Sequence, residues 1–335
     1  MKLKIPNISV EITSECNLNC KYCYNHWRPQ ENREILNSYK KAKKVIKQLL
    51  KQVDVETITF TGGEPFISER FEEILLFTRL KKKKVNVITN GQSISDEVIE
   101  SIVKMGIQLF ELPFHSMYPV IHDSMTGKNG SWKKSMDSIH RLVNRGGYVV
   151  PVIILTKLNS YHIEETLEAL SKLKLNRIVI NRFNIGGNGI KHSNELLLSS
   201  EELNETFTKI NTCATELGLD ISSNVCTPFC LLNPLDFANI EFSSCPTNIL
   251  QRPLTIDLNG DLRICNHSPK CIGNIFKTDI EKLLSETYVK SWEIIKPEYC
   301  SNCEKFEECL GGCRAASEQL GKGLHHVDPI LEYKN

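Results

Sequence analysis

The sequence predicts an α/β fold: an open, partial barrel of parallel strands and helices, followed by a small cysteine-rich α+β domain. Short apolar, β-branched runs alternate with stretches of helical spacing over the first 190 residues. This alternation is typical of βαβ units, which build a parallel sheet. Seven of the 13 cysteines then fall between residues 245 and 313. The barrel would be open because six predicted strands are too few to close an eight-stranded one.

The predicted barrel elements follow one another regularly along the chain. Strands are expected at Ile8–Thr13, Val55–Phe60, Lys84–Thr89, Ile107–Phe114, Tyr148–Leu155 and Arg177–Phe183. Helical spacing marks Ser38–Gln52, Glu69–Leu80, Asp96–Met105, Ser131–Asn144 and Ile163–Leu173. The carboxyl ends of the strands then share one face, where the active sites of such barrels are built.

The character of the sequence changes after the glycine-rich segment 186–189, which ends the predicted barrel. A charged helix is expected at about Ser199–Leu217, and residues 218–244 are predicted to be irregular. Asn259-Gly260 lies between two apolar runs, Leu254–Leu258 and Asp261–Cys265, which is typical of a hairpin. We therefore divide the chain into a barrel (1–190), a bridging helix and linker (191–240) and a cysteine-rich domain (241–335).

Composition excludes several classes of protein. Lys and Arg total 41 and Asp and Glu total 40, so no overall basic field favours a nucleic acid partner. The apolar runs are shorter than the about 20 residues that cross a bilayer. Residues 1–17 lack the apolar stretch of a signal peptide, which predicts a cytoplasmic location where thiols stay reduced. Clustered thiols there favour metal binding or chemistry over disulfides.

The first group of thiols, Cys16, Cys20 and Cys23, lies just past the first predicted strand. Three thiolates on one tight loop suit three irons of a [4Fe–4S] cluster. Ferredoxin-type clusters take four cysteines, so the fourth iron would stay open to another ligand. A zinc loop is the alternative, but zinc sites usually show two Cys-x₂-Cys or Cys/His pairs. The spacing therefore favours an iron–sulfur cluster.

A second motif, Gly62-Gly63-Glu64-Pro65, follows the second predicted strand. Two glycines let a backbone approach a ligand closely, and the adjoining carboxylate suits an ammonium group. Alone, such a pair usually forms only a turn. Its place on the same face as the cysteines favours a binding site.

Together the two motifs resemble the radical SAM superfamily, with Cys16-x₃-Cys20-x₂-Cys23, an aromatic residue before the last cysteine, and Gly-Gly-Glu-Pro a strand later. The resemblance implies a partial (β/α)₆ TIM-like barrel and a [4Fe–4S] cluster whose open iron binds S-adenosylmethionine (SAM). It implies reductive cleavage of SAM to a radical that removes a hydrogen atom from the substrate, with electrons from a donor such as flavodoxin or ferredoxin. The residues that it implies near SAM are Gly62, Gly63, Glu64, Thr89, Asn90, Ser116, Asn181 and Arg182.

The C-terminal cysteines resemble the SPASM extension of peptide-modifying members of that superfamily. The matching patterns are Cys245-x₁₄-Gly260-x₄-Cys265 and Cys300-x₂-Cys303-x₅-Cys309-x₃-Cys313. The resemblance implies one auxiliary iron–sulfur cluster on Cys245, Cys265 and Cys313 and a second on Cys300, Cys303 and Cys309. A zinc ribbon is the alternative for residues 300–313.

Each auxiliary cluster then needs a fourth ligand, so one or two such clusters are expected. Cys271 is a candidate for the first, although its position is not part of the motif. At the place where the family usually has a last cysteine, this chain has Leu331. The fourth ligand of the second cluster is therefore His325, His326, Asp328, an upstream cysteine, or absent.

Three further residues are candidates for chemistry. Cys226 and Cys230 flank Thr-Pro-Phe between the two predicted domains, and they suit either cluster ligands or a catalytic thiol that gives hydrogen to a substrate radical. His115 follows the fourth strand and is a candidate acid or base, since histidine titrates near neutral pH. Its alternative is a polar contact with SAM or with a backbone group.

The predicted function is radical modification of a residue in a ribosomally made peptide, by crosslinking, epimerisation or oxidation. The segment 119–131 looks like a stretch of peptide-modifying members; the alternative is a loop with a helix N-cap at Ser131. Because Cys16 lies so early, we expect a separate leader-peptide-binding protein or direct binding in the barrel.

Other functions remain open at this point. The same chemistry on a haem-precursor porphyrin side chain is one alternative. Sulfatase maturation is another, which Asn266 disfavours because an amide takes no proton at neutral pH. An electron carrier without a substrate would not explain an open three-cysteine loop beside the Gly-Gly-Glu-Pro motif.

Overall fold

The computed structural model describes residues 2–27 and 38–332, which contain one sheet of eleven strands. The strands are β1 (Leu3–Glu11), β2 (Val53–Thr61), β3 (Lys84–Ile88), β4 (Leu109–Pro113), β5 (Val149–Leu155), β6 (Arg177–Arg182), β7 (Asp220–Ser223), β8 (Ile240–Phe242), β9 (Leu254–Asp257), β10 (Asp261–Arg263) and β11 (Cys271–Asn274). Their order in the sheet is β11-β10-β9-β1-β2-β3-β4-β5-β6-β7-β8.

Neighbouring strands from β1 to β8 are parallel, each pairing with the next along the chain. The α/β class predicted from the sequence is thus confirmed. On its other side β1 pairs in parallel with β9, and β10 and β11 continue antiparallel. The carboxyl ends of β1 to β7 therefore meet at one edge, which carries the loops described below.

The longer helices connect these strands and bury one stripe of side chains against the sheet. In α1 the buried residues Ala42, Val45, Ile46 and Leu49 recur at three- and four-residue spacing, as an amphipathic helix requires. The helices are α1 (Ser38–Gln52), α2 (Phe71–Leu80), α3 (Asp96–Lys104), α4 (Pro119–Thr126), α5 (Ser131–Asn144), α6 (Ile163–Lys172), α7 (Ser193–Leu196), α8 (Ser200–Leu217), α9 (Ile280–Leu283), α10 (Thr287–Ile294), α11 (Phe306–Cys309) and α12 (Arg314–Gln319). Among the described residues, no helix combines the length and apolar character of a membrane span.

One prediction of local structure was wrong. Residues 218–244 are not irregular, because β7 and β8 lie there and extend the parallel sheet beyond β6. With four and three residues, these strands are too short to show a period.

Helix α5 begins where it was predicted, but the alternative interpretation of the segment before it, a loop with an N-cap at Ser131, does not hold. The preceding segment is helix α4 rather than a loop, and Ser131 is the first helical residue rather than the N-cap. The carboxylate of Asp123 in α4 accepts the N–H groups of Gly130 at 2.6 Å and Trp132 at 2.7 Å, so it performs the capping.

Two buried ion pairs join the first and last parts of the chain. Glu11 on β1 pairs with Arg263 on β10, and Arg182 on β6 pairs with Asp328; none of the four side chains is more than 8% exposed. A buried charge is costly unless it is paired, so each pair fixes the C-terminal segment against the barrel. The proposed division into a barrel and a cysteine-rich domain stays a prediction, since one sheet runs through both.

We expect Glu11→Gln to lower the free energy of unfolding by about 3–5 kcal/mol, because the buried Arg263 guanidinium loses its counter-charge. Urea denaturation of the anaerobic holoprotein measures this. Glu56→Gln is the control, since it removes the exposed pair with Lys84 between β2 and β3 and should leave stability unchanged. Equal effects of the two variants would contradict the role given to Glu11.

Candidate active site

The three N-terminal cysteines lie on the loop that follows β1, residues 12–27, which we call the cysteine loop. Cys16, Cys20 and Cys23 are all partly buried. Backbone hydrogen bonds fix the start of the loop against the end of β2: the N–H of Gly63 donates to the Thr13 carbonyl at 2.7 Å, and that of Glu64 to the Glu15 carbonyl at 2.8 Å. These two hydrogen bonds hold the start of the loop against the end of β2.

The two glycines of the Gly-Gly-Glu-Pro motif permit this contact. A Cβ atom on Gly63 would lie 1.7 Å from the Glu15 carbonyl oxygen, and one on Gly62 would lie 2.3 Å from that of Thr13. Gly62 also has a φ of +134°, which other residues rarely adopt. The close approach predicted for a ligand is therefore made by the chain's own cysteine loop.

Glu64 connects the ends of β2 and β3 beneath that loop. Its carboxylate accepts the Thr89 hydroxyl at 2.6 Å and the Asn90 N–H at 2.7 Å. The side chain is buried, and burial raises its pKa to about 7 although these hydrogen bonds oppose the shift. A carboxylate in this state would ionise more readily beside a bound cation.

Asn90 reaches from β3 to the cysteines themselves. Its side-chain amide donates to Asn17 at 2.7 Å and lies 3.8 Å from the Cys16 sulfur. Ser116, also predicted near SAM, accepts the Tyr118 N–H at 3.1 Å at the start of α4. The structure thus brings Thr89, Asn90 and Glu64 together under the cysteine loop, whereas the Ser116 hydroxyl contacts the residue that precedes α4.

A second chain of hydrogen bonds reaches the loop from β4 and β5. Nδ1 of His115 accepts the Ile154 N–H at 3.3 Å, so in the neutral ring Nε2 carries the proton and donates to the Tyr22 hydroxyl at 2.6 Å. That hydroxyl is in turn hydrogen-bonded to Cys20. Tyr22 therefore supports the cysteine loop through its hydroxyl.

His115 is buried, with both ring nitrogens engaged inside the protein. Burial, together with the neighbouring His122, holds its pKa well below the usual range. The ring is therefore neutral at ordinary pH, and its contacts favour a supporting role. The acid–base role of His115 stays a prediction.

The end of α4 binds the outer side of the cysteine loop. The N–H of Asn19 donates to the Thr126 carbonyl at 3.1 Å, and that of Lys21 to the Met125 carbonyl at 2.9 Å. A Cβ on Gly127 would lie 2.4 Å from the Asn19 carbonyl oxygen. The 119–131 segment singled out in the sequence thus packs against the cysteine loop and shapes it.

The segment 186–189, which sequence reasoning took only as the end of the barrel, forms another wall of the site. Asn188 donates to the Cys20 carbonyl at 2.9 Å, and the Gly189 N–H to the Cys23 carbonyl at 3.3 Å. A Cβ on Gly187 would lie 2.6 Å from the Cys23 carbonyl oxygen. The available signal was a glycine pair separated by three residues from the end of β6, comparable with the pair that follows β2.

Asn181 and Arg182, predicted near SAM, contact the segment that follows β7. Asn181 accepts the Asn224 N–H at 2.7 Å, and Arg182 donates to the Thr227 hydroxyl at 3.1 Å and the Cys226 carbonyl at 2.8 Å. These contacts position Cys226. A contact of either residue with SAM stays a prediction.

Cys245, Cys265 and Cys313 form the first C-terminal group, and Cys226 joins it. Cys226 is hydrogen-bonded to Cys245 and lies within electrostatic reach of the other two thiols. The hydrogen bond with Cys226, with help from Arg252 and Arg314, lowers the pKa of Cys245. Two N–H groups reach the other sulfurs: that of His267 to Cys265 and the side-chain amide of Asn184 to Cys313, both at 3.2 Å.

Cys271, the predicted fourth member of this group, lies elsewhere. It is exposed on β11, where its thiol donates to the Gly273 carbonyl at 3.3 Å. The charged neighbours that affect it are Asp261 and Asp257. The pairing of β11 with β10 fixes this position, so the structure does not bring Cys271 to the group.

Cys300, Cys303 and Cys309 form the second group. They line a cavity of about 270 Å³ together with Cys230 and Leu331. The Phe229 N–H donates to the Cys309 sulfur at 3.3 Å.

The alternatives to a cysteine ligand do not suit this cavity. His325 and His326 are exposed. Asp328 is buried and already engaged by Arg182, the Cys313 N–H and the Ile330 N–H.

These donor sets fit iron–sulfur clusters. All thirteen cysteines lie in the described residues and are thiols rather than disulfides. Among residues 2–27 and 38–332, no three His, Cys, Asp or Glu side chains lie close enough together to bind a single metal ion. The sulfurs that bind a cluster of several irons stand further apart than the ligands of a single ion.

The charge around the first C-terminal group also fits an iron–sulfur cluster. Arg252 is buried, and its Nε and Nη2 have no hydrogen-bond partner among the described residues, although its side chain is hydrogen-bonded to Cys245. A buried guanidinium requires an anion nearby. A thiolate-ligated cluster would supply one.

Comparison with known proteins agrees with this geometry. Residues 10–170 match the model of the Radical SAM superfamily. The chain is 22% identical over 333 residues to the PqqA peptide cyclase of Xanthomonas oryzae pv. oryzae, covering 97% of this chain and 87% of that protein. It is 26% identical over 319 residues to the antilisterial bacteriocin subtilosin biosynthesis protein AlbA of Bacillus subtilis, covering 90% of this chain and 66% of that protein.

A solved structure shares the fold. Streptococcus suis SuiB bound to the precursor peptide SuiA superposes with a TM-score of 0.75 at 18% sequence identity, covering 97% of this chain and 75% of that chain. The described sheet, including its C-terminal strands, therefore occurs in another protein of low sequence identity.

We expect Gly63→Ala to displace the cysteine loop, because its Cβ would overlap the Glu15 carbonyl. The purified, anaerobically reconstituted variant should lose most of the iron that this loop binds, as measured by iron and sulfide analysis. Gly323→Ala is the matched control, since a Cβ there meets no atom within 4 Å. Normal iron content in Gly63→Ala would refute the proposed packing.

We expect Tyr22→Phe to lower the reduction potential of the cluster on the cysteine loop. Hydrogen bonds to sulfur set such potentials, and the hydroxyl that bonds to Cys20 is removed. The buried Nε2–H of His115 also loses its partner, which costs about 1–3 kcal/mol of stability. Redox titration followed by EPR tests this against Tyr118→Phe, an exposed control; equal potentials would contradict the assignment.

Proposed function

Because this chain contains a radical SAM domain at residues 10–170, as the cysteine loop predicted, we propose that it is an enzyme that modifies a residue of a ribosomally made peptide. When bound, the [4Fe–4S] cluster and SAM supply a 5′-deoxyadenosyl radical that removes a hydrogen atom from the substrate. The observation that carries the proposal is the three-thiol loop, fixed by backbone contacts against the Gly-Gly-Glu-Pro segment.

The protein's own residues hold and tune this site. Cys16, Cys20 and Cys23 would ligate the cluster, and Asn90 and Tyr22 place donors beside two of these sulfurs. Glu64 lies below the loop as a buried carboxylate, suited to the positive charge of the SAM amino group. Closure of the occupied site against water would limit side reactions of a radical.

The peptide class of substrate is supported by the relatives. Over 97% of its length the chain is similar to a protein named as a peptide cyclase, and over 90% to one named for bacteriocin biosynthesis. The fold is shared with a structure that holds a precursor peptide. Sulfatase maturation is disfavoured, since Asn266 is an amide that donates to the Tyr24 hydroxyl at 2.8 Å.

The remaining parts of the proposal are two auxiliary iron–sulfur clusters on the two C-terminal cysteine groups, and an electron donor of the flavodoxin or ferredoxin type. A cytoplasmic location would keep the many thiols reduced. The leader of the peptide would bind a separate protein or the barrel itself.

The direct test is mass spectrometry of a candidate peptide, encoded by a short reading frame beside the gene, after anaerobic incubation with enzyme, SAM and a strong reductant. We expect a mass change in the peptide with the wild type and none with Cys20→Ser. Cys213→Ser is the control, because that buried thiol packs in α8 away from the loop. A change in a haem-precursor porphyrinogen, with the peptide unmodified, would favour the alternative substrate.

We expect SAM to bind more tightly as the pH rises through about 7, because Glu64, whose pKa lies at about 7, then becomes an anion facing a cation. Glu64→Gln should weaken binding and remove its part of the pH dependence. The dissociation constant of SAM, determined for both proteins below and above neutral pH, measures this. SAM itself titrates in the same way in both experiments, so a difference between the two pH profiles comes from Glu64. Parallel pH profiles would contradict a contact between Glu64 and SAM.

A further inference from the structure

We propose that one five-residue strap, Cys226–Cys230, supplies the missing fourth ligand to both auxiliary clusters, Cys226 to the first and Cys230 to the second. The inference rests on the proposed function only in taking the two C-terminal cysteine groups as cluster sites. It replaces the predicted ligand Cys271 and gives the two strap cysteines a structural role instead of a catalytic one.

The evidence for Cys226 is its place within the first group. It is hydrogen-bonded to Cys245 and lies near Cys265 and Cys313, which brings four thiols to one site. Arg252, buried with two nitrogens that lack partners among the described residues, lies beside Cys245. The fourth thiolate would complete an anionic cluster next to this cation.

The evidence for Cys230 is the cavity of the second group. Cys230 lines the same space of about 270 Å³ as Cys300, Cys303 and Cys309, and it lies within electrostatic reach of Cys300. Leu331 lines that space too. Leu331 stands at the position where a C-terminal ligand was expected, so that position is near the site but offers no donor atom. Cys230 reaches the site from another part of the chain.

The strap is fixed at both ends, so that its two thiols point to different groups. Arg182 binds its first half through Cys226 and Thr227. In its second half, the Phe229 N–H donates to the Cys309 sulfur at 3.3 Å.

The middle of the strap packs tightly against the segment that carries Cys313. A Cβ on Gly312 would lie 2.7 Å from Cγ of Pro228. The Leu231 N–H turns back to the Pro228 carbonyl at 2.9 Å. A rigid turn of three residues therefore separates the two thiols.

Ligation would occur without any change in the oxidation state of the protein. Each strap thiol loses its proton to water and its sulfur forms one bond to iron. The two clusters would then be joined by a short covalent path through the strap, in addition to their closeness in space.

The experiment uses the full chain, reconstituted anaerobically with iron and sulfide. With three four-iron clusters the wild type should hold about 12 irons. We expect Cys226→Ser and Cys230→Ser each to lose iron or to change the EPR signal of one cluster, a different one in each variant. Cys213→Ser and Cys271→Ser are the controls and should match the wild type; circular dichroism confirms that every variant is folded.

Alkylation of the native holoprotein gives a second readout. Cys230 and Cys271 are both exposed, so a Cys230 that binds no iron would react with iodoacetamide. We expect peptide mapping to find Cys271 labelled and both strap cysteines protected, until iron is removed with a chelator.

A rescue variant distinguishes ligation from a role in folding. Adding Leu331→Cys to Cys230→Ser puts a thiol back at the same cavity and should restore the lost iron. Normal iron with an unchanged EPR signal in both strap variants, labelling of Cys230 in the holoprotein, or iron loss in Cys271→Ser would overturn the proposal. Iron loss as expected, with the peptide still unmodified, would leave the strap intact and count only against the proposed function.

Discussion

The site depends on one close contact between two backbones, that of Gly62 and Gly63 after β2 and that of Thr13 to Glu15 after β1. A single Cβ atom at Gly63 would occupy the position of the Glu15 carbonyl. Because the contact is made through peptide groups, it fixes the direction in which the cysteine loop leaves the sheet. It also leaves Glu64 buried below the loop, where its carboxylate reaches the end of β3.

Buried charge organises the C-terminal half in a similar way. Arg182 and Asp328 form a pair that is almost fully buried, and each binds a cysteine-bearing segment: Arg182 contacts the Cys226 carbonyl, and Asp328 accepts the Cys313 N–H at 2.7 Å. One ion pair thus holds two members of the same thiol group at the end of β6. The pair therefore fixes the positions of these two segments, which a buried ion pair can do without adding to the net stability of the fold.

Much of this fold was predictable from local pattern. Helices α1 and α5 begin and end at the predicted residues, and the six barrel strands lie where β-branched runs occur. β7 and β8 were missed because they are short and owe their structure to pairing with β6. The capping by Asp123 was missed because it comes from the preceding helix rather than from the start of α5.

The sequence predicts which residues lie together where they are close in the chain, and it cannot do so where the fold brings distant segments together. The cysteine loop and the Gly-Gly-Glu-Pro motif carry their spacing in one segment each. Cys226 and Cys245 are distant in the chain, so only the fold shows that they meet, whereas Cys271 lies near Cys265 in sequence but on an exposed strand. Asn181 and Arg182 were predicted to lie near SAM, yet Asn181 contacts the segment just before the strap and Arg182 contacts the strap itself.

The most direct test of the account is whether the anaerobically reconstituted protein, given SAM and a strong reductant, produces 5′-deoxyadenosine, with Cys16→Ala treated identically. The account predicts that the wild type forms it and that the variant forms none, because the variant lacks one of three thiolates on the cysteine loop. Equal formation by both proteins, or none by a fully iron-loaded wild type supplied with its peptide, would contradict the assignment of this loop as the site of radical formation.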